Sequence, residues 1–311
     1  MSFPLFFDPK NSLKLFGLNE NLEFISKLYS MRKLPKVLMF SGQKGSGKST
    51  LINHFLFSIF DSQQYQIKNC TLSEKSIFLK QFQKNIFSNV VYLKGADFKS
   101  VKVDDIRDLK KTILQSTILD KERFIVLDDV ELFNKNSLNA LLKIIEEPSN
   151  KNFFLLINNK SKPILETIKS RSLEIKLILN ENQRLKIIED IVNFYSIELF
   201  LDPNNSRLSP GNFVKFNHIC KEYNISPLDD FIENFSLLLN LYKKEKDILF
   251  INLLFFIIDF YFNNLKNQNL LENKKIFEIK NYILDNLNNF LLYNINLNSL
   301  TNAVSEKFKY E

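Results

Sequence analysis

The residues best equipped for chemistry are Gly42-Gln43-Lys44-Gly45-Ser46-Gly47-Lys48-Ser49-Thr50, which match the pattern G-x-x-x-x-G-K-[ST] in full. Three of the six glycines in the chain fall at 42, 45 and 47. Glycine lets a backbone turn its N–H groups inward and approach phosphates closely. The N-terminus of the helix that follows would add its partial positive charge. In this reading Gly42, Gly45, Ser46, Gly47, Lys48, Ser49 and Thr50 cradle a nucleoside triphosphate. Lys48 reaches the β- and γ-phosphates, and the Ser49 hydroxyl ligates Mg²⁺. The plain alternative is a tight strand-to-helix turn that binds nothing.

A second group is Phe124-Ile125-Val126-Leu127-Asp128-Asp129. An apolar strand ending in acid is the metal-side complement of a phosphate loop, with Asp128 facing Mg²⁺. Asp129 stands where a hydrolysing enzyme commonly has Glu. Its shorter side chain draws a base back by roughly 1 Å, a displacement able to cost on the order of a hundredfold in rate. The expectation is a weak base, and nucleotide held without efficient turnover. Capping of the next helix is the alternative role for this acid pair.

These residues need a scaffold that presents them at strand ends. Short apolar runs at Val37–Ser41, Val90–Leu93, Phe124–Leu127 and Phe153–Ile157 alternate with helical patterns. Such runs predict parallel strands covered on both faces, an α/β fold with the sheet between helices. Helices are expected after the glycine-rich loop through Phe60, from a capping box at Thr71-Leu72-Ser73-Glu74 to about Phe87, and after Asp104-Asp105. Another covers Ser137–Ile145 and ends before Pro148. Beyond about Lys176 the pattern turns wholly helical, with turns at Asp202–Asn205 and Ser209–Gly211 and a hinge at Asn224–Pro227. The expected organisation is a nucleotide-binding domain over 1–178, a small helical lid over 179–226 and a helical C-terminal domain over 227–311.

Composition narrows the function classes. With 311 residues, 45% hydrophobic and 25% charged, the chain has globular rather than disordered proportions. Cys70 and Cys220 are the only cysteines, so no disulfide framework or four-cysteine zinc site can be built. The start shows no pattern of a secretory signal, and a reducing cytoplasm is expected. The most apolar stretch, Ile248–Ile258, falls short of the roughly 20 residues a membrane span needs and reads as a core helix. Residues 1–178 carry 28 Lys+Arg against 18 Asp+Glu, and the remainder 14 against 17. Any polyanion contact therefore belongs to the first part. His54 and His218 stand alone along the chain and read as core or surface residues.

The run Asp128-Asp129-Val130-Glu131, then Asn139-Ala140-Leu141-Leu142-Lys143-Ile144-Ile145-Glu146-Glu147-Pro148, resembles the clamp-loader branch of the AAA+ ATPases. So do Phe153–Asn159 and Ile164-Leu165-Glu166-Thr167-Ile168-Lys169-Ser170-Arg171-Ser172. Within the branch the chain is most similar to delta-prime subunits of bacterial DNA polymerase III, and its length accords with that type. The resemblance implies an AAA+ domain, a helical lid and a C-terminal collar. It implies a subunit that helps ATP-dependent loading of the sliding clamp onto primed DNA. The implied partners are gamma/tau and delta subunits, the sliding clamp through them, and primer–template DNA, with no membrane.

The resemblance also implies roles. Arg171, in a Ser-Arg-Ser where clamp loaders carry Ser-Arg-Cys, would be an arginine finger for a neighbour's ATP site. Its permanent charge and planar fork suit γ-phosphate oxygens. Asn159, with Asn158 as the alternative, would be sensor 1. At Gly211-Asn212-Phe213-Val214-Lys215, Val214 or its neighbours stand where the sensor 2 Arg would be, and only Lys215 offers charge, without the same fork. Zinc, common after the phosphate-loop helix in these subunits, is not expected, because residues 61–90 hold Cys70 alone. Lys102, Arg107, Lys110 and Lys111 would be the DNA-facing cations. A gamma-like ATPase motor is the main alternative and a small-molecule P-loop kinase the lesser one. At most a weak ATPase is expected of the chain alone, with any polymerase activity belonging to the holoenzyme.

Overall fold

In the computed structural model, residues 4–95, 101–114, 121–146, 151–267, 273–293 and 295–309 are described. They form two compact units: residues up to Glu198 together with Arg207–Val214, and Leu199–Ser206 together with Lys215–Glu311.

The first unit is built on strands β1 (Val37–Ser41), β4 (Val90–Lys94), β5 (Arg123–Asp128), β6 (Asn152–Asn158) and β7 (Leu173–Lys176), in the order β4-β5-β6-β1-β7. All pairings are parallel. Residues alternate between two cores, as a two-residue side-chain period requires. Leu38, Phe40, Phe124, Val126, Leu155 and Ile157 face helices α1 (Asn19–Ser30), α2 (Lys48–Phe60) and α3 (Ile77–Gln83). Val37, Met39, Ile125, Leu127, Phe154 and Leu156 face α4 (Val103–Leu114), α5 (Lys135–Ile145) and α6 (Glu166–Lys169). The central strands are buried on both faces, which is why they read as unbroken apolar runs.

Two sequence expectations differ from the structure. Thr71-Leu72 does not open a helix. It is a short strand, β3, paired antiparallel with β2 (Tyr65–Gln66). The helix starts at Ile77 and ends at Gln83, capped by Ser76, whose Oγ accepts from Leu79 N at 2.9 Å. Thr71 cannot open a helix because the chain there is extended, paired with Gln66 and Tyr65 and with Leu72 N donating to Leu13 O at 2.8 Å. The fifth strand, β7, had no sequence assignment. It lies at the sheet edge with most side chains exposed, so it carries no apolar run. Glu147 and Pro148, part of the clamp-loader run and the expected stop of α5, lie outside the described residues.

Helix α7 (Glu181–Tyr195) follows, with a capping box between Asn180 and Gln183, and then α8 (Pro210–Tyr223). The second unit contains α9 (Phe231–Glu245), α10 (Ile248–Asn267), α11 (Asn273–Tyr293) and α12 (Leu297–Lys309). By length and composition alone α10 could cross a membrane. Its Phe250, Ile251, Leu254, Ile257, Ile258 and Phe262 are buried in the helical core. Phe231 of α9 stacks on Tyr261 at 4.6 Å and meets Phe308 of α12 at 5.3 Å.

Candidate functional site

The phosphate loop joins β1 to α2, and Gly47 caps the helix at φ 91°, a left-handed conformation that glycine adopts without steric cost. Lys48 is 3% exposed. Its Nζ donates to Gly42 O at 2.8 Å, Gln43 O at 2.7 Å and Ser46 Oγ at 3.4 Å. Burial pushes its pKa down to about 8, against the pull of Asp128, Glu131 and Asp129. The ammonium therefore stays mostly charged at neutral pH. Thr50 follows Ser49 in the first turn of α2.

Parallel pairing in the sheet brings the end of β5 to this loop. Ser49 Oγ lies 3.5 Å from Asp128 Oδ2. Tyr92 of β4 donates its hydroxyl to the same oxygen at 2.9 Å, and Asp129 N donates to Asp128 Oδ1 at 3.0 Å. Asp129 has φ 53°, and its carboxylate accepts a hydrogen bond from Asn159 Nδ2. Burial, with Asp128 as the next cause, raises its pKa to about 6. Glu131, 4% exposed, accepts from Asn159 N at 3.0 Å and from Ser161 Oγ at 2.9 Å. It ties the segment after β6 to the acid turn. Asn158 points elsewhere, its Oδ1 accepting from Lys160 N at 2.8 Å.

Lys48, Ser49, Asp128, Asp129 and Asn159 thus converge. The donor set fits the ligand that the loop pattern implies: a buried ammonium for phosphate oxygens, and a hydroxyl beside a carboxylate as hard oxygen ligands for Mg²⁺. Mg²⁺ bound there would neutralise phosphate charge.

Arg171 lies apart from this cluster, after α6. Its Nη1 donates to Thr167 O at 3.1 Å and its Nη2 pairs with Glu146 Oε1 at 2.9 Å, with 40% of the side chain exposed. Val214 is buried, so position 214 offers the site no cation. On α4, Arg107 pairs with Asp104 at 2.7 Å and Lys111 with Asp108 at 2.8 Å, all exposed. Such exposed pairs are weak and open readily to other anions.

His54 is buried, its Nδ1 3.0 Å from Tyr65 Oη and its Nε2 3.1 Å from Ser12 O. Burial lowers its pKa to about 4. Cys70 and Cys220 are buried free thiols. Among the described residues no group of three or more His, Cys, Asp or Glu is placed to hold a metal. Sequence reading missed Tyr92 and Glu131 as members of the site. Glu131 had a signal, an acid three residues beyond Asp128. Tyr92 had none, because only strand pairing brings it there.

A five-stranded parallel sheet with helices on both faces, a phosphate loop after β1 and an acid pair at the end of β5 define an α/β P-loop domain. Residues 17–181, more than half of the chain, match the family described as DNA polymerase III, delta subunit, and the chain belongs to that family, within the clamp-loader group. It is 28% identical over 204 residues to a DNA polymerase III gamma subunit of Buchnera aphidicola, covering 63% of this chain and 51% of the relative. It is 40% identical over 76 residues to a delta-prime subunit of Pseudomonas aeruginosa, covering 24% and 23%. The chain spans about half the length of the gamma-subunit relatives it matches. Among solved structures, a gamma-subunit-related protein of Thermotoga maritima aligns with a TM-score of 0.47 at 15% identity, covering 92% of this chain and 98% of that one.

Proposed function

We propose that this chain is a delta-prime-like clamp-loader subunit, acting in the bacterial cytoplasm with gamma/tau and delta partners to load the sliding clamp onto primed DNA. It holds ATP and Mg²⁺ with little turnover and lends Arg171 to the ATP site of a neighbouring subunit. The three-part layout of 1–178, 179–226 and 227–311 belongs to this reading. Residues near α4 meet primer–template phosphates through charge rather than base identity.

The observation that carries the reading is the condition of Asp129. A base must be free to take a proton from water and close enough to reach it. This carboxylate is one methylene shorter than Glu, is held by the Asn159 amide and sits in a buried turn. Arg171, by contrast, keeps its guanidinium at the surface, where a second subunit could meet it.

The roles follow from these residues. Lys48 and the loop hold phosphate, and Ser49 and Asp128 would hold Mg²⁺. Asn159 links the strand end to Asp129. Arg171 supplies a fixed positive charge to a γ-phosphate across a subunit boundary. The gamma-like motor reading is favoured by the intact phosphate loop and by the resemblance to gamma subunits. ATP hydrolysis by the isolated chain separates the two. The proposal expects little or none above background. Robust hydrolysis abolished by Lys48→Ala overturns it in favour of the motor.

A further inference from the structure

The first turn of α8 lies directly on the tip of the phosphate loop. Pro210 opens the helix and has no N–H to satisfy. The next N–H, of Gly211, is one of the donors a helix leaves without an internal partner. It donates to Gly45 O at 2.9 Å. Ser209, 2% exposed, donates its hydroxyl to Lys44 O at 2.6 Å. Two successive loop carbonyls are therefore bonded by the segment that opens α8.

The approach is close enough to exclude side chains on both sides. A Cβ at Gly211 would lie 2.9 Å from Gly45 O and 3.2 Å from Gly45 Cα, both backbone atoms. A Cβ at Gly45, where φ is 84°, would lie 2.9 Å from Asn212 N. Arg184 holds the approach to this segment, donating from Nη1 to Leu208 O at 3.2 Å while its Nε and Nη2 bond Glu181.

We propose that Ser209–Asn212 is a latch on the phosphate loop and that Ser209 and Gly211 are positioning residues for the nucleotide site. They fix the loop through its carbonyls. Backbone bonds and glycine contact thereby close a site whose sequence offers no Arg at 214. The functional consequence rests on the nucleotide-holding reading above. A nucleoside triphosphate or diphosphate in the loop leaves only when the latch opens, so exchange is slow and the ligand is retained.

The test uses the full chain and two variants. Amide hydrogen exchange is measured without nucleotide at residues 44–46 and 211–213, and release of a fluorescent ADP analogue is measured separately. Gly211→Ala forces a methyl against backbone and should speed exchange at both stretches by at least about tenfold. Ser209→Ala removes one hydrogen bond and should speed it about fivefold while leaving the fold intact. ADP release should quicken in the same order. Unchanged exchange at both stretches in both variants overturns the latch. Faster exchange with unchanged ADP release overturns its control of the nucleotide. Faster exchange in a chain whose wild type binds no nucleotide upholds the latch and instead removes the nucleotide-holding reading.

Discussion

The phosphate loop, after the C-terminal end of β1, and the Arg171 turn, before the N-terminal end of the parallel neighbour β7, are both charged sites of one sheet, yet they are finished differently. At the loop the charged side chains are largely answered from within, though Glu131 Oε2 is buried without a partner. Lys48 is taken by loop oxygens, Asp128 by Tyr92, Ser49 and the Asp129 amide, and Asp129 by Asn159. At Arg171 the guanidinium has one half-exposed carboxylate, one helix carbonyl and a long contact to Ser170 Oγ, with 40% of the side chain exposed. A buried, internally satisfied network is rigid and costly to rearrange. An exposed ion pair is weak and easily exchanged for a phosphate. The difference teaches where this chain is built to hold and where it is built to offer.

The comparison breaks first at Arg171. In a reconstituted clamp loader, Arg171→Ala should lower ATP turnover by about a thousandfold, the low end of what a trans-acting arginine supplies, while sizing shows the assembly intact. Turnover within a fewfold of wild type would leave the residue an ordinary surface cation. Next comes Lys48. Lys48→Ala removes a buried charged donor and should weaken nucleotide binding to the isolated chain by about a hundredfold, as read by titration with a fluorescent ATP analogue.

Two smaller effects concern protons. His54 has a folded pKa of about 4, below its ordinary 6.5, so the unfolded chain binds the proton first. Its contribution is fully present above pH 6.5 and is lost as pH falls towards 4, to about 2–3 kcal/mol, measurable by denaturant unfolding across that window. His54→Gln should flatten that part of the curve. Asp129 has the opposite sign. Its folded pKa of about 6 exceeds the ordinary 3.8, so its contribution is present at low pH and lost as pH rises from about 4 through 6. Asp129→Asn should therefore stabilise the chain at pH 7 by about 1–2 kcal/mol, helped by the preference of Asn for positive φ. A destabilised Asp129→Asn chain would show that the charge at 129 is needed by the fold.

Much of this arrangement was legible in the residues. The strands at 37–41, 123–128 and 152–158 announce themselves because both faces are buried, and the loop pattern places Lys48 and Ser49 at a strand end. What could not be read was long-range. Ser209 meets Lys44 across 165 positions and Tyr92 meets Asp128 across 36, contacts that only the folded chain creates. The false cap at Thr71 failed for the same reason, since a strand pair formed with Tyr65–Gln66 claimed that backbone. The edge strand at 173–176 was missed although Leu173 and Ile175 alternate with Glu174 and Lys176, because it is only four residues long and mostly exposed, with no continuous apolar run.

The most direct measurement places both sites in one assay. ATP turnover is followed in the reconstituted clamp loader carrying either Arg171→Ala or Lys48→Ala in this subunit alone. The account predicts collapse with Arg171→Ala and near wild-type turnover with Lys48→Ala. The reverse pattern, with turnover lost at Lys48 and kept without Arg171, would contradict it.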